Sequence, residues 1–76
     1  MEDKKVFKYL VIIEKANGNY SAYCPDLPGC VATGRTIEET LARMKEAIQF
    51  HIEGLKTEGL AIPEPGSRVK YVEISI

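Results

Sequence analysis

Hydrophobic and polar positions along the chain change their period twice, from the alternation of strands to helical spacing and back. Residues Val6 to Lys15 are rich in β-branched and aromatic side chains, which favours a strand. Tyr9, Val11 and Ile13 alternate onto one face, and Leu10 and Ile12 onto the other. A strand apolar on both faces is expected in the middle of a sheet. Asn17-Gly18 then suits a tight hairpin turn. Tyr20 to Cys24 reads as a second strand, antiparallel to the first. Pro25-Asp26-Leu27-Pro28-Gly29 cannot continue it, because proline has no ladder donor, and reads as a rigid turn. Cys30 to Thr33 is a short third strand, closed by Gly34. From Thr36 the period changes to that of a helix, with apolar residues at Ile37, Leu41, Met44, Ile48, Ile52 and Leu55. Thr36 and Glu39 have capping-box spacing, so the hydroxyl is expected to accept from the Glu39 amide and the carboxylate to reach back to the Thr36 amide. The helix is expected to run to about Glu58, with Gly59 beyond it, and to measure about 33 Å at ~1.5 Å per residue. Gly54 inside it costs ~1 kcal/mol relative to alanine. After the stiff Pro63-Glu64-Pro65-Gly66 loop the alternation returns. Val72, Ile74 and Ile76 line one face of a last strand, and Tyr71, Glu73 and Ser75 the other.

The expected order is β-β-β-α-β, an α+β domain. Three strands form a meander, and the helix crosses right-handedly to a fourth strand beside the first. That gives a four-stranded mixed sheet of order 3-2-1-4 with one helix on one face. The opposite face would show Tyr, Val and Ile side chains to water. Monomers seldom leave such a contiguous patch open, so the pattern itself calls for a partner.

Length and charge narrow what the partner is. A chain of 76 residues is one domain, expected to span 1–76 with residues 1–5 frayed. It buries only about 60–65% of the surface its unfolded form exposes, which again favours burial shared with another subunit. A net charge of −1 lacks the basic excess of a phosphate-binding domain. The longest apolar run, Tyr9 to Ile13, is far too short to cross a bilayer, and no secretory signal is visible. The expected location is the cytoplasm, with Cys24 and Cys30 as reduced thiols.

Three pieces together resemble the HicB-like antitoxin family. They are Gly18-Asn19-Tyr20-Ser21-Ala22-Tyr23-Cys24-Pro25-Asp26-Leu27-Pro28-Gly29-Cys30, then Gly34-Arg35-Thr36-Ile37-Glu38-Glu39-Thr40, then Ala47-Ile48, Ile52 and Gly59-Leu60-Ala61-Ile62-Pro63-Glu64-Pro65. The resemblance covers roughly Phe7 to Val72, and its specificity lies in the combination. It implies a degenerate ribonuclease-H-like fold of the order derived above. It also implies an antitoxin that binds and silences a small mRNA-cleaving HicA-like toxin, commonly as a dimer or tetramer. Many members carry a C-terminal DNA-binding segment. This sequence stops at Ile76, so direct DNA binding by this chain alone is not expected.

The chemistry-bearing residues do not converge. Nuclease chemistry on a ribonuclease-H-like fold needs clustered carboxylates holding two metals, and the first strand offers only Glu14, at its far end. Glu38 and Glu39 suit the helix dipole. Cys24 and Cys30 face one another across a turn, but the lone histidine, His51, flanks the helix stripe and supplies neither a base nor a metal set. No catalytic residue, metal or cofactor is expected. Asp26 reads either as a turn-forming carboxylate or as part of a docking loop. Tyr23 and Tyr71 read either as strand packing or as interface side chains. The expected partner-binding set is Tyr23, Pro25, Asp26, Leu27, Pro28 and Tyr71. The alternative reading is a stand-alone homo-oligomeric structural or regulatory domain with no toxin.

Overall fold

A computed structural model describes residues 5–76. Of the expected frayed stretch, residues 1–4 lie outside the described residues. Three strands, β1 (Ile12–Ala16), β2 (Asn19–Tyr23) and β3 (Val31–Gly34), form an antiparallel meander of order β1-β2-β3. One helix, α1 (Ile37–Thr57), packs across β2 and β3. Register sets the layers. Ile13 pairs with Ala22 and Ala22 with Ala32, so these three share the face under the helix. The core is Ala22, Cys24, Leu27, Cys30 and Met44, with Tyr9, Val11, Ile13, Ala32 and Ile48 packed against it.

The helix begins and ends as its sequence directs, with one exchange. Thr36 is extended, and its hydroxyl accepts from the Glu39 amide at 3.0 Å. The reciprocal half of the capping box is not made, because Glu39 Oε1 pairs instead with Arg43 Nη2 one turn on, at 2.7 Å. An exposed pair at this spacing is worth only a few tenths of a kcal/mol. At the other end Gly59 takes φ +70°, and its amide donates to Lys56 while Leu60 donates to Leu55. These are the two bonds of a Schellman stop, which a residue with a Cβ would enter only at a cost.

Helix and sheet meet most closely at Gly34. A Cβ placed there would lie 2.6 Å from Thr40 Oγ1 and 2.9 Å from Thr40 N. Thr40 is wholly buried, and its hydroxyl donates back to the Thr36 carbonyl at 2.7 Å. Arg43 reaches over to the Thr33 carbonyl at 2.9 Å and ties the same corner.

The sheet corrects the expected fold. Among the described residues it has three strands and not four, and the order 3-2-1-4 of a ribonuclease-H-like arrangement is not formed. Residues 69–76 join no ladder. Two contacts set their path. Tyr9 Oη donates to the Pro63 carbonyl at 2.6 Å. The Asp26 carboxylate accepts from the Ser67 amide at 3.3 Å and from its hydroxyl at 3.1 Å. Ser67 is thus held at the β2–β3 turn, and the residues after it lie off the sheet. The first strand is also shorter than the expected Val6 to Lys15. Its partner β2 ends at Tyr23, opposite Ile12, because Pro25 begins the turn. Residues 5–11 are left outside any ladder, and β1 is an edge strand and not a central one.

Candidate functional site

The side of the sheet away from the helix is built from alternate residues of each strand. Ile12 pairs with Tyr23 and Tyr23 with Val31, so one row of apolar side chains crosses all three strands. Glu14, Ser21 and Thr33 form the next row, which is polar. Tyr23 is 41% exposed and Val31 65%. This face does show apolar side chains to water, whereas Tyr9, Val11 and Ile13, the alternating face read from the first strand, pack against the core on the helix side.

Beside the row lies the β2–β3 turn. Its backbone is closed on itself: Leu27 N donates to Cys24 O and Cys30 N to Leu27 O, both at 3.1 Å, and Cys24 N to Cys30 O at 3.3 Å. Leu27 is 0% exposed and plugs the loop from beneath, while Pro25 and Pro28 stand outward. The turn is rigid because its polar groups are met locally and its apolar side chain is in the core.

Of the six residues expected to bind a partner, Tyr23, Pro25 and Pro28 share this end of the molecule with open side chains. Leu27 shares the turn but points into the core. Asp26 is half-buried and engaged with Ser67, forty-one residues away, and not with nearby turn amides. Tyr71 is 93% exposed, on the segment beyond that clamp. Ile12 and Val31 were absent from the expected set. The strand alternation that selects Tyr23 selects them as well once the register is fixed.

Cys24 and Cys30 are both free and buried on the helix side, adjacent across the turn. Burial, and then Cys24, push the Cys30 thiol above its ordinary value. Burial, followed by Cys24, Asp26 and Glu64, likewise holds the Tyr9 phenol above its usual range, and its hydroxyl donates to the Pro63 carbonyl. Among the described residues, no three His, Cys, Asp or Glu side chains are grouped to hold a metal, and no helix is long and apolar enough to cross a membrane.

Relatives share both this sequence and this shape. A UPF0150 protein of Synechocystis is 38% identical over 74 residues, covering 96% of this chain and 94% of the relative. An uncharacterised 14.9 kDa protein from the rep-hol intergenic region of Haemophilus phage HP1 is 39% identical over 64 residues, which is 84% of this chain. The chain spans about half, 48%, of that phage relative's length. Among solved structures, the N-terminal domain of the Burkholderia pseudomallei antitoxin HicB is 30% identical, with a TM-score of 0.70 over 76% of this chain and 69% of that one. A chain of a HicA3 and HicB3 toxin-antitoxin complex is 33% identical, with a TM-score of 0.66 over 79% and 70%. The family described as HicB_like antitoxin of bacterial toxin-antitoxin system matches residues 9–74. That match covers most of the chain, and the chain belongs to the HicB-like antitoxin family.

Proposed function

We propose that this chain is a non-catalytic antitoxin that binds and neutralises a small mRNA-cleaving toxin of the HicA kind. The observation that carries the reading is the likeness in sequence and shape to a chain of the HicA3 and HicB3 toxin-antitoxin complex. The docking face is the row Ile12, Tyr23 and Val31 with Pro25 and Pro28 beside it, and Asp26 and Tyr71 at its margin. Leu27 serves this face from below, by fixing the turn. Such a surface suits protein recognition: a tyrosine at the centre, apolar neighbours, a polar row at the rim and a backbone that needs little reordering. The chain's net charge of −1 favours encounter with a basic nuclease, chiefly through the on-rate, and lacks the basic excess that direct DNA binding draws on. The place of action is the cytoplasm, where mRNA is the toxin's target.

The test is co-expression with the product of the adjacent small gene, followed by size-exclusion chromatography. A co-eluting pair is expected, with growth arrest when the neighbour is expressed alone. Tyr23→Glu and Val31→Glu place charge in the apolar row and are expected to weaken the pair by at least about tenfold, as loss of a central anchor does. No complex and no arrest would refute the antitoxin reading. A complex untouched by both substitutions would refute the placement of the face.

A further inference from the structure

Cys24 and Cys30 stand where a cross-strand disulfide fits. The register that pairs Tyr23 with Val31 continues one step further and sets Cys24 opposite Cys30. Cys24 N donates to Cys30 O at 3.3 Å. Opposed residues of a hydrogen-bonded antiparallel pair have Cα atoms about 5.5 Å apart, and their side chains leave the sheet on the same side. Disulfides span Cα separations of about 4.4–6.8 Å, so this pair lies well inside their reach. Both side chains are in the core on the helix side, and both thiols are free.

A route from solvent leads to one of the two. A groove of about 340 Å³ lies between the start of β3 and the second half of α1, and Cys30 lines it while Cys24 does not. Phe50, His51 and Leu55 stand on the helix wall. Gly54 lies among them, and a Cβ built there would meet nothing within 4 Å. Glycine inside a helix weakens it, and here it leaves the helix wall bare beside Cys30. Buried thiols are inert where no reagent reaches them. Through this groove a molecule as small as hydrogen peroxide reaches Cys30 first, and Cys24 waits behind it.

We propose that Cys30 is an oxidation site reached by hydrogen peroxide through this groove, and that Cys24 resolves the product as a disulfide within the chain. The Cys30 thiol gives its proton to solvent, and its sulfur attacks one peroxide oxygen. The S–O bond forms, the O–O bond breaks, and the departing hydroxide takes a proton and leaves as water. The Cys24 thiolate then attacks the Cys30 sulfenic sulfur. The S–S bond forms, the S–O bond breaks, and a second water leaves. Two thiols are oxidised and one peroxide is reduced. Burial, and then Cys24, hold the Cys30 thiol above its ordinary value, so little thiolate is present at neutral pH and closure is slow. Slow closure suits a response to sustained oxidant in a reducing compartment, not rapid peroxide turnover. The new bond ties the base of the turn that carries Pro25 and Pro28, and it does not rest on toxin binding.

The test exposes the full, folded chain to excess hydrogen peroxide and follows intact mass and thiol content with time. The native sequence is expected to lose both thiols and about 2 Da, with no cross-linked dimer and full reversal by dithiothreitol. Cys24→Ser is expected to stop at a Cys30 sulfenic acid that dimedone traps. Cys30→Ser is expected to leave Cys24 at least about tenfold less reactive than Cys30 is in the native sequence. Gly54→Leu puts a side chain into the groove and is expected to slow disulfide formation at least about tenfold, since exchange chemistry depends on access. Gly54→Ala strengthens the helix in the same way but leaves the groove open, and its rate should match the native one. Helical circular dichroism checks that both variants fold. Thiols that resist peroxide overturn the proposal, as does a disulfide between two chains, or a sulfinic acid in place of the disulfide. Oxidation of Gly54→Leu at the native rate would show that the thiols react by another path, and would overturn the groove as their entrance.

Discussion

Gly34→Ala tests how the helix is seated on the sheet. The added methyl would sit 2.6 Å from Thr40 Oγ1, 2.9 Å from Thr40 N and 3.1 Å from its Cα. The hydroxyl could rotate away, at the loss of its 2.7 Å bond to the Thr36 carbonyl, worth about 1 kcal/mol net. The backbone nitrogen cannot, since it is already bonded to Thr36 O at 3.0 Å in the first turn of the helix. The helix must therefore lift off β3. Overpacking of this sort costs about 1–3 kcal/mol, and the upper part of that range applies when backbone is the obstacle. Replacing glycine restricts the unfolded chain and returns about 0.4–1 kcal/mol. The net expectation is a loss of about 2 kcal/mol, or roughly 10 °C in Tm for a domain of this size. Urea denaturation followed by circular dichroism measures it, as a lower midpoint at unchanged slope. The double variant Gly34→Ala, Thr40→Ala separates the two obstacles. Removing Oγ1 relieves part of the clash, so the pair should be less destabilised than the sum by about 1 kcal/mol. A Gly34→Ala effect below about 0.5 kcal/mol, or strict additivity in the pair, would refute the reasoning.

The two anchors of the C-terminal segment give further expectations. Asp26→Ala removes the acceptor for both Ser67 bonds and should cost about 1–2 kcal/mol; amide exchange should quicken after Pro63 and not in the helix, and equal quickening in both would count against a local clamp. Tyr9→Phe should cost about 1 kcal/mol through the lost bond to Pro63. Because the Tyr9 pKa is raised from 10.0 in the folded state, its stabilisation is complete below pH 10 and is lost as pH rises through the higher folded value. Denaturation midpoints measured upward from neutral pH should fall more steeply above pH 10 for the native sequence than for Tyr9→Phe, and parallel curves would contradict this.

Much of the fold is legible in the sequence where local physics decides. The Asn17-Gly18 turn, the proline-bounded turn and the Thr36 hydroxyl cap are encoded within a few residues and form as read, while the returning half of the capping box gives way to the Glu39–Arg43 pair. The helix ends at Thr57 with its stop at Gly59, within one residue of the expectation. What escaped depends on contacts between distant residues. Val72, Ile74 and Ile76 alternate as a strand does, but alternation states only that a strand wants a neighbour. The bonds of Asp26 to Ser67 and of Tyr9 to Pro63 decide that the neighbour is not β1. The same reading made β1 central because both its faces are apolar, when β1 is an edge of the sheet. For the candidate site, Tyr23 and the two prolines were accessible from pattern and turn chemistry. Leu27 was grouped with the partner-binding turn because a turn residue is ordinarily exposed, and here its side chain closes the core. Thr40 and Gly34 carried no signal, since neither threonine nor glycine marks a helix–sheet contact by itself.

The great sequence distance of those anchors bears on how the chain acquires its structure in time. The meander, its turns and the helix are made largely of contacts between near neighbours in sequence, which close quickly. The links at Tyr9–Pro63 and Asp26–Ser67 join residues 54 and 41 positions apart. Their loop closure is costly until the meander and helix exist to receive them. Substitution at Asp26 should therefore speed unfolding and leave the folding rate nearly unchanged, a φ-value close to zero.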